Sequence, residues 1–192
     1  YISGTFFGFS PDSLAYPDLL FSILTVPLIF FLVTRMFGEK LGLLAASLSA
    51  VSGFMVRYGR FQWNPNTMPF FTALFLLSAT LVLSSEGRRQ RLWAAVLGIS
   101  LGVGVQLHTF LLVLLPLLTL GFFLMLFFEK KLSFGVAGIA IGVAAFLNIP
   151  FALSEVRNDF SNTGAFFEGL SAHTEDSPSF FNRLGRDALC HV

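Results

Sequence analysis

The sequence predicts an all-α membrane protein: a polytopic bundle of about six transmembrane helices followed by an extracytoplasmic C-terminal loop. Three observations predict it. Hydrophobic types make up 55% of the 192 residues and charged types only 12%, with 25 Phe, whereas a soluble domain is about one-quarter charged. The charges gather in short clusters, and the apolar runs between them approach the roughly 20 residues that a bilayer crossing needs. Basic residues crowd into alternate clusters, as membrane loops do. This composition excludes a soluble enzyme, a nucleic-acid binder and a disordered tail. The net charge of +1 gives no bulk attraction to polyanions, so electrostatic meaning must lie in where charges sit. The lone cysteine, Cys190, excludes an internal disulfide and a cysteine-based metal cluster.

The spans follow from the charges. Segment I runs over about 19–34, between Asp18 and Arg35, and segment II over about 41–56, between Lys40 and Arg57. Segment III covers about 67–85 and stops before Glu86. Residues 92–128 then carry no charge; as one helix they would measure ~55 Å, too long for a single crossing. The polar interruption Gln106-Leu107-His108-Thr109 is the place to turn, which yields segments IV (about 92–107) and V (about 109–128). Segment VI, about 132–151, follows Glu129-Lys130-Lys131. The runs do not alternate as barrel strands would. Pro27 and Pro116 are expected to kink segments I and V. Gly98-x-x-x-Gly102 and Gly138-x-x-x-Gly142 could let helices approach closely, but glycine is common in membrane helices and the plainer reading is that these mark no particular contact. The domain reading is therefore a transmembrane core over 1–151 and an extracytoplasmic loop over 152–192.

The loops set the orientation. Arg35, Lys40, Arg88, Arg89, Arg91, Lys130 and Lys131 all fall in three loops on one face. The other face holds only Arg57, Arg60, Arg157, Arg183 and Arg186, with most of the acids. The positive-inside rule places the first face in the cytoplasm and both ends of the chain outside. The sequence opens on Tyr1 with no signal-peptide pattern and ends in a polar stretch, so an internal piece of a larger protein is expected.

The most unusual stretch is the outer loop Arg57-Tyr58-Gly59-Arg60-Phe61-Gln62-Trp63-Asn64-Pro65-Asn66. Two arginines stand three apart where basic residues are scarce. On a continuing helix they would share a face. They suit two roles: snorkelling to lipid headgroups beside an aromatic belt of Tyr58, Phe61 and Trp63, or a fork of guanidinium donors matched to phosphate oxygens. Gln106 and His108 lie near the same depth. His108 reads as a structural residue or as a donor to a phosphate or sugar hydroxyl. Asp12 and Asp18 read as helix-start residues beside prolines.

Beyond segment VI lie Glu155, Arg157, Asn158, Asp159, Asn162 and Thr163. His173, Glu175 and Asp176 resemble a metal site only in composition, and their spacing fits a solvated loop. Pro178 to Leu189 reads as an interfacial amphipathic helix with Phe180, Phe181 and Leu184 towards lipid. No Walker loop, dinucleotide fingerprint, nucleophile elbow or zincin motif is present.

The run Arg60-Phe-Gln-Trp-Asn-Pro-Asn ahead of a Phe/Leu-rich helix resembles the membrane glycosyltransferases of the C-type superfamily. The group it resembles is the family-39 type, which includes the dolichyl-phosphate-mannose–protein mannosyltransferases and the aminoarabinose transferase of lipid A. Phe9 to Pro17, Arg35-Met-Phe-Gly-Glu-Lys with Leu43-Leu-Ala-Ala, Gln106-Leu-His, Asn148-Ile-Pro-Phe, Glu155-Val-Arg-Asn-Asp-Phe and Asn162-Thr resemble other stretches of that family in the same order. The likeness covers about residues 1–170.

The resemblance implies transfer of a sugar from a polyprenyl-phosphate-linked donor to an acceptor glycan, lipid or protein, on the extracytoplasmic side of a prokaryotic plasma membrane. It implies that Arg57 and Arg60 neutralise the leaving phosphate, with His108 and Arg157 as further phosphate-binding residues. Tyr58, Trp63, Asn64, Asn66 and Gln106 would line the cavity. The family's general base sits in its first outer loop, which is expected upstream of residue 1, so no catalytic base is assigned. Membrane lipid is an expected partner and nucleic acid is not. No cofactor is expected, and a divalent metal is left open. The competing readings are a transporter or lipid flippase, and a non-catalytic membrane subunit. Segments I to VI carry no internal charge, whereas transporters place charge near the midplane.

Overall fold

The helices begin and end where the side chains supply or remove backbone partners. The computed structural model describes residues 2–131 and 133–175, and among these it contains nine α-helices, one 3-10 turn and no strand. A short α1 (Ile2–Phe7) leads into α2 (Pro11–Phe37). The start of α2 is capped by Ser10, whose Oγ accepts the Ser13 N–H at 3.2 Å while Ser13 Oγ accepts the Ser10 N–H at 3.1 Å. Gly38, at φ 94°, breaks the chain into α3 (Glu39–Ala50), a backbone angle that favours glycine. Ser52 then caps α4 (Gly53–Tyr58). The 3-10 turn Asn64–Thr67 feeds α5 (Met68–Ser84), and α6 (Gly87–Leu107) follows. His108 is extended and separates α6 from α7 (Thr109–Phe128). The chain closes with α8 (Phe134–Arg157) and α9 (Ser161–Glu175).

The all-α membrane class stands. Among the described residues, four helical stretches are long and apolar enough to cross a bilayer: Asp12–Phe37, Asn64–Ser84, Thr109–Phe128 and Phe134–Arg157. On those criteria the count of six is not reached. At α6 the length suffices, but the first turns carry Arg88, Arg89 and Arg91. In segment II the predicted single helix is interrupted at Val51-Ser52. Ser52 takes an extended backbone and caps a new helix, which leaves α3 only 12 residues or ~18 Å of rise. The prolines do not end helices: α2 runs through Pro17 and Pro27, α7 through Pro116 and α8 through Pro150.

Packing is that of a bundle in lipid. Large apolar side chains are widely exposed, Phe134 at 82% and Phe128 at 77% among them. Lipid tails give them no reason to hide, so helices associate through small residues and close contact. The principal core joins Phe75, Leu97, Leu111 and Leu115 to Ala140 and Ala144. Gly98 and Gly102 on α6 make this possible: a Cβ at Gly98 would lie 2.4 Å from the Ala140 carbonyl oxygen, and one at Gly102 would lie 3.0 Å from Ala144 Cα. Gly138 and Gly142 face open space. Several buried hydroxyls are satisfied inside their own helices, as hydrocarbon favours, whereas the buried Thr34 Oγ1 has no partner among the described residues. Thr25 donates to Phe21 O, Ser78 to Phe75 O, Ser100 to Leu97 O and Thr119 to Leu115 O.

Within the bundle α2 packs on α3 and α5, α5 on α6, and α6 on α7. The chain divides into two compact units, residues 1–148 and 149–192. In the second unit Glu155 is 4% exposed and organises the start of α9. It accepts from Asn162 Nδ2 at 2.5 Å, Thr163 Oγ1 at 2.6 Å and the Thr163 N–H at 3.0 Å. The intervening turn passes through Asp159 and Phe160, both at positive φ. The expected interfacial helix over 178–189 and residues Asp176, Arg183, Arg186 and Cys190 lie outside the described residues, as do the side chains of His173 and Glu175.

Candidate functional site

The Arg57–Asn66 loop is built by its two ends. On its N-terminal side α4 stops at Tyr58, and the Gly59 N–H returns to Met55 O at 3.0 Å. Arg57 therefore sits in the last helical turn and Arg60 in the turn beyond it. The expected shared face on a continuing helix is corrected here: the Arg60 N–H still points at Arg57 O, at 3.4 Å, but through a turn. Gly59 lies against α2, where a Cβ would come within 2.7 Å of Ser22 Oγ, so a larger residue would push the helix end outward.

Both arginines are exposed. Among the described residues neither guanidinium has a hydrogen-bond or ion-pair partner in the protein; the described ion pair is Lys131 with Glu129. Arg60 lines a cavity of about 180 Å³ with Ser22, Met55 and Gly59, between α2 and the α3–α4 break.

An aromatic frame surrounds them. The Tyr58 ring lies 5.5 Å from Phe61 and 5.9 Å from Trp63, and Phe61 and Trp63 stack at 6.3 Å with 20° between planes. The far end of the loop is fastened by amides. The Trp63 N–H donates to Asp18 Oδ2 at 3.0 Å, Asn66 Nδ2 donates to Phe61 O at 2.7 Å, and the Asn66 N–H donates to Trp63 O at 2.9 Å. Asn66 is thus committed to holding the loop. Asn64 is exposed, with its carbonyl taken by Thr67 Oγ1 at 3.2 Å.

The α6–α7 corner lies at the same end of the bundle, because α6 contacts the Asn64–Thr67 turn. Gln106 Nε2 donates to Gly102 O at 3.0 Å and to Leu147 O at 3.2 Å. Both of its donors are used between α6 and α8. Its free Oε1 can only accept, which suits a hydroxyl and not a phosphate. His108 is the cap of α7: its Nδ1 accepts the Phe110 N–H at 3.1 Å. A neutral imidazole accepting at Nδ1 carries its proton on Nε2, so the exposed ring edge is a donor fit for an anionic oxygen. Arg157, in the second unit, ends α8 and is exposed. Among the described residues no three His, Cys, Asp or Glu side chains converge on a metal-sized site.

Two residues gain a role here that their sequence context did not assign, Asp18 and Asn148. Asp12 is in the first turn of α2, as expected. Asp18 is not a helix-start residue: α2 begins at Pro11, so Asp18 lies about two turns inside and is 7% exposed. A signal for it exists in the polar spacing Ser13, Asp18, Ser22, Thr25 along an otherwise apolar helix, which marks a face turned to protein. Asn148 bridges helices, with Nδ2 donating to Gly102 O at 3.0 Å and Ala144 O at 2.9 Å. Its partner signal is the Gly98–Gly102 pair.

These features define a class: a polytopic helical membrane protein that gathers cationic, aromatic and hydrogen-bonding side chains at one end of its bundle. The family model for dolichyl-phosphate-mannose-protein mannosyltransferase matches residues 2–153, and the chain belongs to that family; it is of the C-type membrane glycosyltransferases. No curated protein and no solved structure matches the chain.

Proposed function

We propose that this chain forms part of a glycosyltransferase that moves a sugar from a polyprenyl-phosphate-linked donor to an acceptor on the extracytoplasmic face of a prokaryotic plasma membrane. The observation that carries this reading is the pair Arg57 and Arg60, exposed on one structured loop and unpaired among the described residues. As the glycosidic bond to phosphate breaks, negative charge grows on the leaving oxygens. Preformed guanidinium donors lower that barrier most effectively where water is scarce, and their planar forks match phosphate oxygens two at a time. The His108 Nε2–H adds a third donor from the α6–α7 corner. Arg157, exposed at the end of α8 in the second unit, is proposed separately as a phosphate-binding residue. Trp63, Tyr58 and Asn64 offer a stacking face and an amide to the sugar. The loop charges support the sidedness, because Arg88, Arg89, Arg91, Lys130 and Lys131 lie at the opposite ends of α5 to α8.

The test is transfer by the intact protein in membranes. Arg57→Ala together with Arg60→Ala should lower transfer by about a hundredfold or more while membrane insertion stays normal. Unchanged transfer in that double variant would overturn the reading.

A further inference from the structure

Along α2 the polar residues divide by what they bond. Ser13 stays local, bonding Ser10 and the Gly8 carbonyl at the start of the helix, and Thr25 donates to Phe21 O in its own helix at 2.7 Å. Asp18 and Ser22, one turn apart, reach across the bundle. Asp18 Oδ2 accepts the Trp63 N–H at 3.0 Å, and Ser22 Oγ donates to Met55 O at 3.3 Å. These two contacts fall on either side of Arg57 and Arg60. Midway between them Gly59 is pressed so closely on Ser22 that an added Cβ would meet its Oγ at 2.7 Å, its Cβ at 2.8 Å and Met55 O at 3.1 Å. The arginine-bearing backbone is thereby tied down at both ends and seated in the middle on a single helix face.

Asp18 is a costly way to make such a tie. A carboxylate inside an apolar helix loses its hydration. Among the described residues it has no cation beside it, and the Trp63 N–H is its one hydrogen bond. Helix α2 has no need of an acid at this point, since its start is already capped by Ser10. What the carboxylate supplies is an acceptor aimed at a loop whose backbone amide would otherwise go unmet. At 7% exposure it is enclosed by protein, which suits a structural acceptor.

We propose that Asp18, assisted by Ser22, is a positioning residue that holds the Arg57–Trp63 segment so that both guanidinium groups face the donor's phosphate. This rests on the reading of those arginines as phosphate-binding. The role is that of an acceptor and needs no charge. The Asp18→Asn side chain would still present an Oδ1 to the Trp63 N–H, whereas Asp18→Ala leaves that amide with no acceptor.

The experiment uses the intact protein in detergent, with two readouts. Binding of farnesyl phosphate, a short carrier-lipid phosphate, reports the arginine site. A spin label on Gln62→Cys in an otherwise cysteine-free background reports loop mobility without reference to function. Asp18→Ala should sharpen the label's spectrum and weaken farnesyl phosphate binding about tenfold or more. Asp18→Asn should stay within about twofold of the parent in binding, with an unchanged spectrum. As a second route, Gly59→Ala should mobilise the label, because the added Cβ meets Ser22. An immobile label in Asp18→Ala overturns the proposal, and so does an Asp18→Asn protein that behaves like Asp18→Ala. A freed loop with undiminished farnesyl phosphate binding overturns it too, provided that Arg57→Ala with Arg60→Ala abolishes binding. If that arginine double variant binds as well as the parent, the phosphate reading itself falls, whatever the label shows.

Discussion

Arginine at a helix end on a membrane boundary commonly reaches for lipid headgroups. At positions 57 and 60 the surroundings favour a more specific role. The helix gives way to a turn between them, three aromatic rings pack beside it, and amide clasps fix its far end. If planar donors matter, Arg60→Lys should impair transfer by about tenfold or more although the charge is kept; an enzyme assay on native membranes checks this. His108 allows its two roles to be separated. His108→Ala removes the cap acceptor for Phe110 and should lower stability by about 1 kcal/mol. His108→Asn should restore the cap but lose the Nε2–H, so thermal unfolding should recover while donor affinity does not. The sequence revealed these residues because arginine and histidine are conspicuous in an apolar chain. It did not reveal that both amide donors of Gln106 and one of Asn66 are already engaged, because those partners are backbone carbonyls of residues four or more positions away.

At the scale of elements, close packing decides the outcome. The two Gly-x-x-x-Gly patterns look alike in sequence but differ in space. On α6, Gly98 and Gly102 touch α8 backbone; on α8, Gly138 and Gly142 touch nothing within 4 Å. Gly98→Val should therefore lower stability by roughly 1–3 kcal/mol through overpacking. Gly138→Ala should change it by no more than about 0.5 kcal/mol. Unfolding of the purified protein in mild detergent measures both. The interruption in segment II has the same lesson. Its residues are apolar enough for one helix, yet Ser52 turns its side chain to the Met55 N–H and starts another. The break delivers Arg57 in the last turn of a short α4 and Arg60 in the turn just beyond it. By contrast, the α6–α7 corner was readable, because the uncharged run over 92–128 is too long to cross a bilayer once and Gln106–Thr109 is the polar place to turn.

Across the whole molecule the governing quantity is the distribution of charge over two faces. Five basic residues at the α5–α6 and α7–α8 turns, with Arg35 and Lys40 at the α2–α3 turn, oppose the end that carries Arg57, Arg60 and His108. A cysteine at position 62 should react with an impermeant maleimide in intact cells. One at position 88 should react only after permeabilisation, in a background lacking other cysteines. The reverse pattern would move the arginine loop to the cytosolic side and remove it from the proposed reaction.

Composition and charge spacing alone determined that this chain is helical, lies in a membrane and presents an arginine-aromatic loop at one end. These follow from solvation: hydrocarbon admits few charges, and water reclaims them at helix ends. Only the tertiary structure decided which glycines are contacts, where segment II breaks, and that Asp18 lies inside α2 facing Trp63. Those outcomes depend on what stands opposite a residue, often far along the chain. Local pattern carries no record of that, because in lipid an inward and an outward apolar side chain are nearly equal in free energy until a neighbouring helix arrives.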